Sequence, residues 1–368
     1  MAILLGVDTG GTYTDAVLMR DEDAVIASAK ALTTRQDLAI GVREAVQAVL
    51  ANSSVAPQDI ALASLSTTLA TNALVEGQGA RVALIYIGFS ERDLAAQGLA
   101  DALGGDPVLV LPGGHSHGGA EVAPLDVQRI ADWARSQDVS AFAIAAQFGT
   151  RNPAHEVAAR DTVRLATGRP VTCSHELSAK LGGPKRALTA VLNARLIGLT
   201  HRLIGRAEGA LREIGIDAPL MVVRGDGALM SAAQAQERPI ETILSGPAAS
   251  IVGARWLTRA DHALVSDIGG TTTDIAVLRN GQPVIDPDGA RVGPHRTMVE
   301  AVAMRTHGLG GDSEVRLTSE GLSGGVSLGP RRVLPVALVA QDAPEVVHRA
   351  LDAQLNRAVP GEYDARFV

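Results

Sequence analysis

Short apolar runs, each closed by glycines or an acidic residue, set out an alternating α/β order along the chain. Ile3 to Val7 ends at Asp8, and after a glycine pair a second run follows from Ala16 to Met19. This reads as strand, glycine-rich turn, strand. The same order returns with Ala263 to Val265, Asp267, and then Ile275 to Leu278. Between these hairpins, Leu38 to Leu50 has helical spacing, while Arg81 to Phe89, Val108 to Leu111 and Ala141 to Phe148 read as strands. Pro124-Leu-Asp opens a helix to about Ser136, and Asn152-Pro opens one that ends near Gly168. Leu188, Val191, Leu192, Leu196, Leu199, Leu203 and Ala207 mark one face of a long helix from Gly183 to near Gly215. A strand at Leu220 to Arg224 and helices at Ser231 to Gln236 and Ala248 to Leu257 complete the order, and Pro360 to Val368 reads as a tail. The domain change is expected at the start of the long helix, giving lobes at 1–185 and 186–368.

The hairpins carry an internal repeat. Asp8-Thr-Gly-Gly-Thr-Tyr-Thr-Asp15 recurs as Asp267-Ile-Gly-Gly-Thr-Thr-Thr-Asp274, with six of the eight positions identical. Hairpin sterics alone do not require the same Asp, Gly, Gly, Thr, Thr and Asp twice. Glycines let backbone N–H groups approach phosphate oxygens with no Cβ in the way. A threonine hydroxyl adds a donor, and an aspartate at a strand end can hold magnesium through water. The repeat therefore points to triphosphate binding by two α/β lobes.

Composition narrows the class. At 368 residues, 46% apolar and 20% charged, the chain has room for two domains with full cores. Four Phe, three Tyr and two Trp leave Ala, Val, Leu and Ile to build those cores, which suits parallel sheets covered by helices. A net charge of −7 supplies no basic field for nucleic acid or an anionic membrane, so neither partner is expected. The apolar runs are too short to span a bilayer, and no signal-peptide core forms before Asp8. Cys173 is the single cysteine, which excludes an intramolecular disulfide and fits a reducing cytoplasm.

The repeated pattern resembles the actin, hexokinase and heat-shock-70 ATPase superfamily, whose ribonuclease H-like lobes grip the phosphates of a nucleotide with two such hairpins. Within it the chain resembles the hydantoinase A and 5-oxoprolinase family. Beyond the two hairpins, the resemblance rests on Thr67-Thr-Leu-Ala-Thr-Asn-Ala-Leu74, Asn152-Pro-Ala-His-Glu156, Ser174-His-Glu-Leu-Ser178, Leu192-Asn-Ala194 and Ser245-Gly-Pro-Ala248. It implies ATP with Mg2+ as cofactors and opening of a hydantoin, 5-oxoproline or related lactam through phosphorylation of the amide oxygen. It also implies a companion B-type subunit. Gly10, Gly11, Gly269 and Gly270 would donate N–H groups to phosphates, helped by Thr12, Thr271 and Thr272. Asp267 would organise magnesium, and Asp8 would orient water or share the cation. Gly308, Gly310 and Gly311, in Gly308-Leu-Gly-Gly-Asp-Ser313, would form the adenosine loop. Thr67, Thr68, Thr71, Asn72 and His175 are candidates for the substrate side; helix capping is the plain alternative for the first four, and a core or cap role for His175. A chaperone-like reactivating ATPase and a small-molecule kinase are the rival activities.

Three departures from the family pattern stand out. Leu65-Ser66 occupies the usual His-Gly position, Arg305 stands where a histidine is typical, and Asp312 replaces a glycine. His115 and His117 lack a nearby carboxylate or cysteine in sequence, so a solvated loop is expected there. His155 and Glu156 are expected to open a helix, with Glu156 favouring its positive end. Lys180, Lys185 and Arg186 read as a solvated basic face, and Cys173 as a small buried residue.

Overall fold

The computed structural model describes residues 2–34, 37–318 and 325–356. The stretch read as a tail, 360–368, lies outside them. Two compact units result: residues 1–265 with 276–304, and residues 266–275 with 305–368.

Unit 1 holds the two larger α/β sheets among the described residues. In the first, β1 (Ile3–Thr9), β2 (Tyr13–Arg20) and β3 (Ala24–Leu32) form an antiparallel meander, and α1 (Leu38–Ala51) follows. Next, β4 (Ile60–Thr67) lies parallel to β1 and leads into α2 (Leu69–Val75). Alternation decides the faces. Leu5, Val7, Ala16 and Leu18 point to a core shared with Val42, Ala45, Val46 and Val49 of α1, while Gly6, Asp8, Asp15 and Ser64 fall on the opposite face.

The second sheet is built from β5 (Val82–Ile87), β6 (Val108–Leu111), β7 (Ala141–Ala146) and β8 (Val171–Cys173). Its order is β6-β5-β7-β8 and every pairing is parallel. The connections run through α3 (Leu99–Leu103), α4 (Val127–Arg135) and α5 (Ala154–Thr167), with α6 (Ser174–Leu177) directly after β8. Each residue of β5 and β7 is buried, as expected of a parallel sheet covered on both faces.

A 31-residue helix, α7 (Gly183–Glu213), joins the two cores. Its first half packs Leu188, Val191 and Leu192 against Leu84 and Ala143 of the second sheet. Its second half packs Leu203, Ile204 and Leu211 against the first. Beyond it, β9 (Leu220–Val223) pairs parallel with β4, and β10 (Leu229–Ser231) closes that sheet in the order β10-β9-β4-β1-β2-β3. The first sheet thus takes strands from both sides of residue 185. Ser231 caps α8 (Ala232–Glu237) with a capping box, and α9 (Ser245–Thr258) follows.

The second hairpin, β11 (Ala263–Ile268) and β12 (Thr273–Arg279), belongs to a four-stranded sheet with β13 (Gln282–Pro283) and a later strand on β12. After the short pair β14 (Arg291–Val292) and β15 (His295–Arg296), that later strand is β16 (Met304–His307). In unit 2, β17 (Ser313–Thr318) pairs with β18 (Gly325–Arg332), and α10 (Val336–Asp342) and α11 (Pro344–Leu355) end the described chain. Among the described residues, no helix is long and apolar enough to cross a membrane.

Candidate functional site

In the first hairpin, Gly10 N–H donates to Tyr13 O at 3.0 Å and closes the turn. A Cβ on Gly10 would sit 3.1 Å from that oxygen, tight enough to favour glycine. Gly11 and Thr12 complete the turn on the exposed side. Register sets Asp8 opposite Asp15, two carboxylates on neighbouring strands. Like charges so placed repel and call for a cation. Lys30, directly across from Asp15 on β3, supplies one at 3.0 Å. Asp8, at the end of β1, presents a carboxylate, the hard oxygen donor that magnesium takes.

These carboxylates border a cavity of about 420 Å3 contained in unit 1, with Ser64 and Ser66 of β4 and Ala249 of α9 on its walls. The start of α9 is tied to the end of β4 because Thr67 N–H donates to Ser245 Oγ at 3.3 Å and Ser245 Oγ donates to Thr67 O at 2.9 Å. Thr67 Oγ1 accepts from Leu69 N–H at 3.1 Å, and Thr68 Oγ1 accepts from Asn72 Nδ2 at 3.3 Å. Thr71 Oγ1 accepts from Leu244 N–H at 3.1 Å. Thr67, Thr68, Thr71 and Asn72 therefore secure the β4–α2 corner and the entry to α9. Sequence reading missed Lys30 and Ser64 and named Ser66 only as a departure from the family pattern; strand pairing, not local pattern, brings them to the cavity.

The second hairpin repeats the turn in unit 2. Gly269 N–H donates to Thr272 O at 2.9 Å, and a Cβ on Gly269 would meet that oxygen at 3.3 Å. The predicted adenosine loop packs directly on it: Gly311 N–H donates to Gly269 O at 3.1 Å and Asp312 N–H to Gly270 O at 2.8 Å. Thr273 Oγ1 donates to Leu309 O at 2.7 Å. Gly310 has to be glycine, because a Cβ there would lie 2.5 Å from Gly270 O. Arg332 binds Thr271 O at 2.8 Å and Asp312 Oδ1 at 2.7 Å, a brace that local sequence did not disclose. Burial pushes the Asp274 carboxyl above its ordinary range, the Thr306 hydroxyl bond at 2.6 Å opposes this, and the Asp267 charge adds to the rise. A cation beside Asp267 would relieve that repulsion.

His175 belongs to a different cluster, at the end of β8. Glu156 is fully buried and accepts from Ala146 N–H at 2.8 Å, Ser174 Oγ at 2.7 Å, His175 N–H at 3.0 Å and His175 Nδ1 at 2.7 Å. Glu156 lies in the first turn of α5, as expected, and from there also organises a buried network. Arg186 is likewise buried, not solvated, donating to Ser174 Oγ, Lys180 O and Ala146 O. Glu156, Cys173 and His175 bring donor atoms within 4.8 Å of one another. Burial pushes the Cys173 thiol up, away from a thiolate, and both Glu156 oxygens are already engaged. The trio is a hydrogen-bonded scaffold. His115 also corrects the expectation of a solvated loop: it is 2% exposed and its ring centroid is 4.5 Å from that of His155, whereas His117 is exposed. Burial and the neighbouring His155 lower the His115 pKa.

The family model described as the hydantoinase/oxoprolinase N-terminal region matches residues 4–166, and that described as hydantoinase/oxoprolinase matches residues 186–334. The chain is 29% identical to the caprolactamase subunit alpha of Pseudomonas jessenii, with 89% of this chain and 50% of the relative covered. It is 28% identical to the acetophenone carboxylase gamma subunit of Aromatoleum aromaticum, covering 89% and 49%. The crystal structure of the ATP-dependent caprolactamase from Pseudomonas jessenii superposes with a TM-score of 0.74 at 28% identity, over 89% of this chain and 51% of that one. The chain spans about half the length of the curated relatives it matches. One family region carries the first hairpin and the next carries the second, in chain order, and the chain belongs to the hydantoinase/oxoprolinase family.

Proposed function

We propose that this chain is the ATP-binding part of an ATP-dependent hydrolase that opens a cyclic amide such as hydantoin, 5-oxoproline or a related lactam. The observation that carries the reading is the turn built twice, with the same glycine N–H closing it at 3.0 and 2.9 Å and an aspartate at the preceding strand end each time. Gly11 and Thr12 offer phosphate donors in unit 1, and Gly270, Thr271 and Thr272 offer them in unit 2; the Gly10 and Gly269 N–H groups, expected to donate to phosphates, instead close the two turns. Gly308, Gly310 and Gly311 are proposed for the adenosine. The meander β1-β2-β3 continued by parallel β4 and β9 supports assigning the first sheet to an actin-like, ribonuclease H-like lobe. The division at 185 and 186 is proposed as a border between family regions, while the first sheet draws strands from both.

Asp8 and Asp267 would hold Mg2+. ATP would supply the phosphoryl group that turns a poor amide oxygen into a leaving group. The chain's own task is to fix the phosphates on backbone N–H groups and keep the carboxylates ionised beside them. A similar caprolactamase supports the lactam substrate, and the relatives' names as subunits support a companion chain. The acetophenone carboxylase relative favours one second reading, a subunit of an ATP-dependent carboxylase.

Asp267→Asn tests the magnesium role. It keeps shape and most hydrogen bonding, so the melting temperature is expected to hold while ATP hydrolysis falls about 100-fold, on the order of 3 kcal/mol. Assays contain hydantoin, 5-oxoproline or caprolactam. Parent-like hydrolysis by the variant would remove Asp267 from the mechanism.

A further inference from the structure

Of the 33 lysine and arginine residues in the chain, only Lys30, Lys180 and Lys185 are lysine. Two of the three stand where α6 gives way to α7, and both line one cavity of about 380 Å3 inside unit 1. Arginine is the cation almost everywhere else, so a lysine pair at one cavity points to chemistry that a guanidinium cannot do. An amine can lose its proton and attack an electrophile, whereas a guanidinium stays charged. Ala96, Leu181 and Met298 give the cavity apolar wall, and the two lysines and Asp288 give it a polar part. That mixture suits a small organic group carried to a reactive nitrogen.

The charges around Lys185 favour its neutral form. Lys185 Nζ donates at 2.7 Å to the backbone carbonyl of Asp288, and Lys180 Nζ at 3.2 Å to that of Pro287. The carboxylates of this turn go to Arg296, which pairs with Asp286 at 3.0 Å and with Asp288 at 3.5 Å. Lys180 and Arg296 thus offset Asp286 and Asp288, and a proton on Lys185 is the charge left over. Burial and the positive charge of Arg296 hold the Lys185 amine below the usual lysine range; Lys180 adds to this, while Asp288 and Asp286 oppose it. Near neutral pH, more of Lys185 is free amine than of an ordinary lysine.

We propose that Lys185 is an acylation site, its amine attacking small acyl phosphates that enter this cavity. The Nζ lone pair forms a C–N bond to the acyl carbon, the C–O bond to phosphate breaks, and phosphate departs with that electron pair. The nitrogen sheds one proton to solvent, and no further reactant is consumed. The apolar wall takes the hydrocarbon part of the acyl group, and Lys180, on the same cavity, offsets the charge of the departing phosphate. The amide that results has a single N–H and no charge, so the clip between α7 and the turn at Asp288 weakens on acylation.

Acetyl phosphate applied to the full chain tests it, with each lysine followed by peptide mass spectrometry and Lys30 as a standard on the same molecule. Lys185 is expected to acylate at least about tenfold faster than Lys30 near neutral pH. Its rate should reach half its maximum at a lower pH in the folded chain than in the chain unfolded by guanidinium chloride. Arg296→Gln frees Asp286 and Asp288 for Lys185 and is expected to slow its acylation about threefold or more, whereas Arg296→Lys, which keeps the charge, should stay near the parent. Ala96→Trp, which fills the cavity, is expected to slow Lys185 about tenfold and leave Lys30 unchanged. Circular dichroism checks the fold of each variant. Equal rates at Lys185 and Lys30, a pH midpoint unmoved by unfolding, or parental rates in folded Arg296→Gln or Ala96→Trp would each overturn the proposal. Should a variant fail to fold, the rate ratio and the pH midpoint of the parent chain still decide it.

Discussion

The two hairpins share their letters and their turn but not their neighbours. Leu5 is 1% exposed and Thr9 1%, whereas the equivalent positions of the second repeat, Leu264 and Ile268, are 72% and 71% exposed. In the first, β1 lies between β2 and β4 and is covered by α1. In the second, β11 is an edge strand, and the turn is braced instead by the 308–313 backbone and Arg332. The comparison separates two causes. Asp-x-Gly-Gly-Thr builds the turn from local chemistry alone, while the burial of the flanking strand depends on what the rest of the chain lays against it.

Truncating the equivalent leucines gives the largest expected contrast. Leu5→Ala is expected to cost about 3 kcal/mol and Leu264→Ala less than about 0.5 kcal/mol, read by urea unfolding. Equal costs would mean that the second strand is packed as firmly as the first. Gly310→Ala comes next. Its Cβ would meet Gly270 O, part of the backbone, so the loop has to shift and lose the Gly311 and Asp312 hydrogen bonds, at about 2 kcal/mol. Hydrogen exchange of those two amides should speed up, while the amides of β1 stay protected. Unchanged exchange there would show that the loop does not brace the turn. The two cations give the smallest contrast. Arg332→Ala is expected to loosen the 308–313 loop by about 1 kcal/mol, since Arg332 binds the Thr271 backbone carbonyl and the Asp312 carboxylate. Lys30→Ala should cost no more than about 0.5 kcal/mol, because its pair with Asp15 is solvent-exposed. A larger effect at Lys30 would reverse the assignment of braces.

Much of the order of elements was legible in the sequence, because hydrophobic period and turn residues are local signals. Ala141 to Ala146, the long helix from Gly183 and the Ser231 cap follow from such signals. The strands β3 and β4 were missed: β3 is an Ala-rich edge strand with little alternation in hydrophobicity, and β4 mixes serine with alanine and leucine. That α7 would serve two cores was hidden too, since periodicity marks an apolar face but not what covers it. At the candidate site, the turns were legible from the repeat. The place of Ser64, Ser66 and Lys30 beside the cavity became visible only when pairing laid β4, β1, β2 and β3 side by side. The burial of His115, Glu156 and Arg186 could not be read from their polarity, because long-range hydrogen bonds satisfy Glu156 and Arg186 and ring packing covers His115.

Both repeats are read as parts of one nucleotide-binding function, and isothermal titration of the full chain with ATP and Mg2+ tests that most directly. One site per chain is expected, with the heat lost on chelating the metal and a gain of about 2.7 kcal/mol in stability at a hundredfold excess over Kd. No heat and no stabilisation at millimolar ATP, in a folded chain with both hairpins intact, would contradict the account.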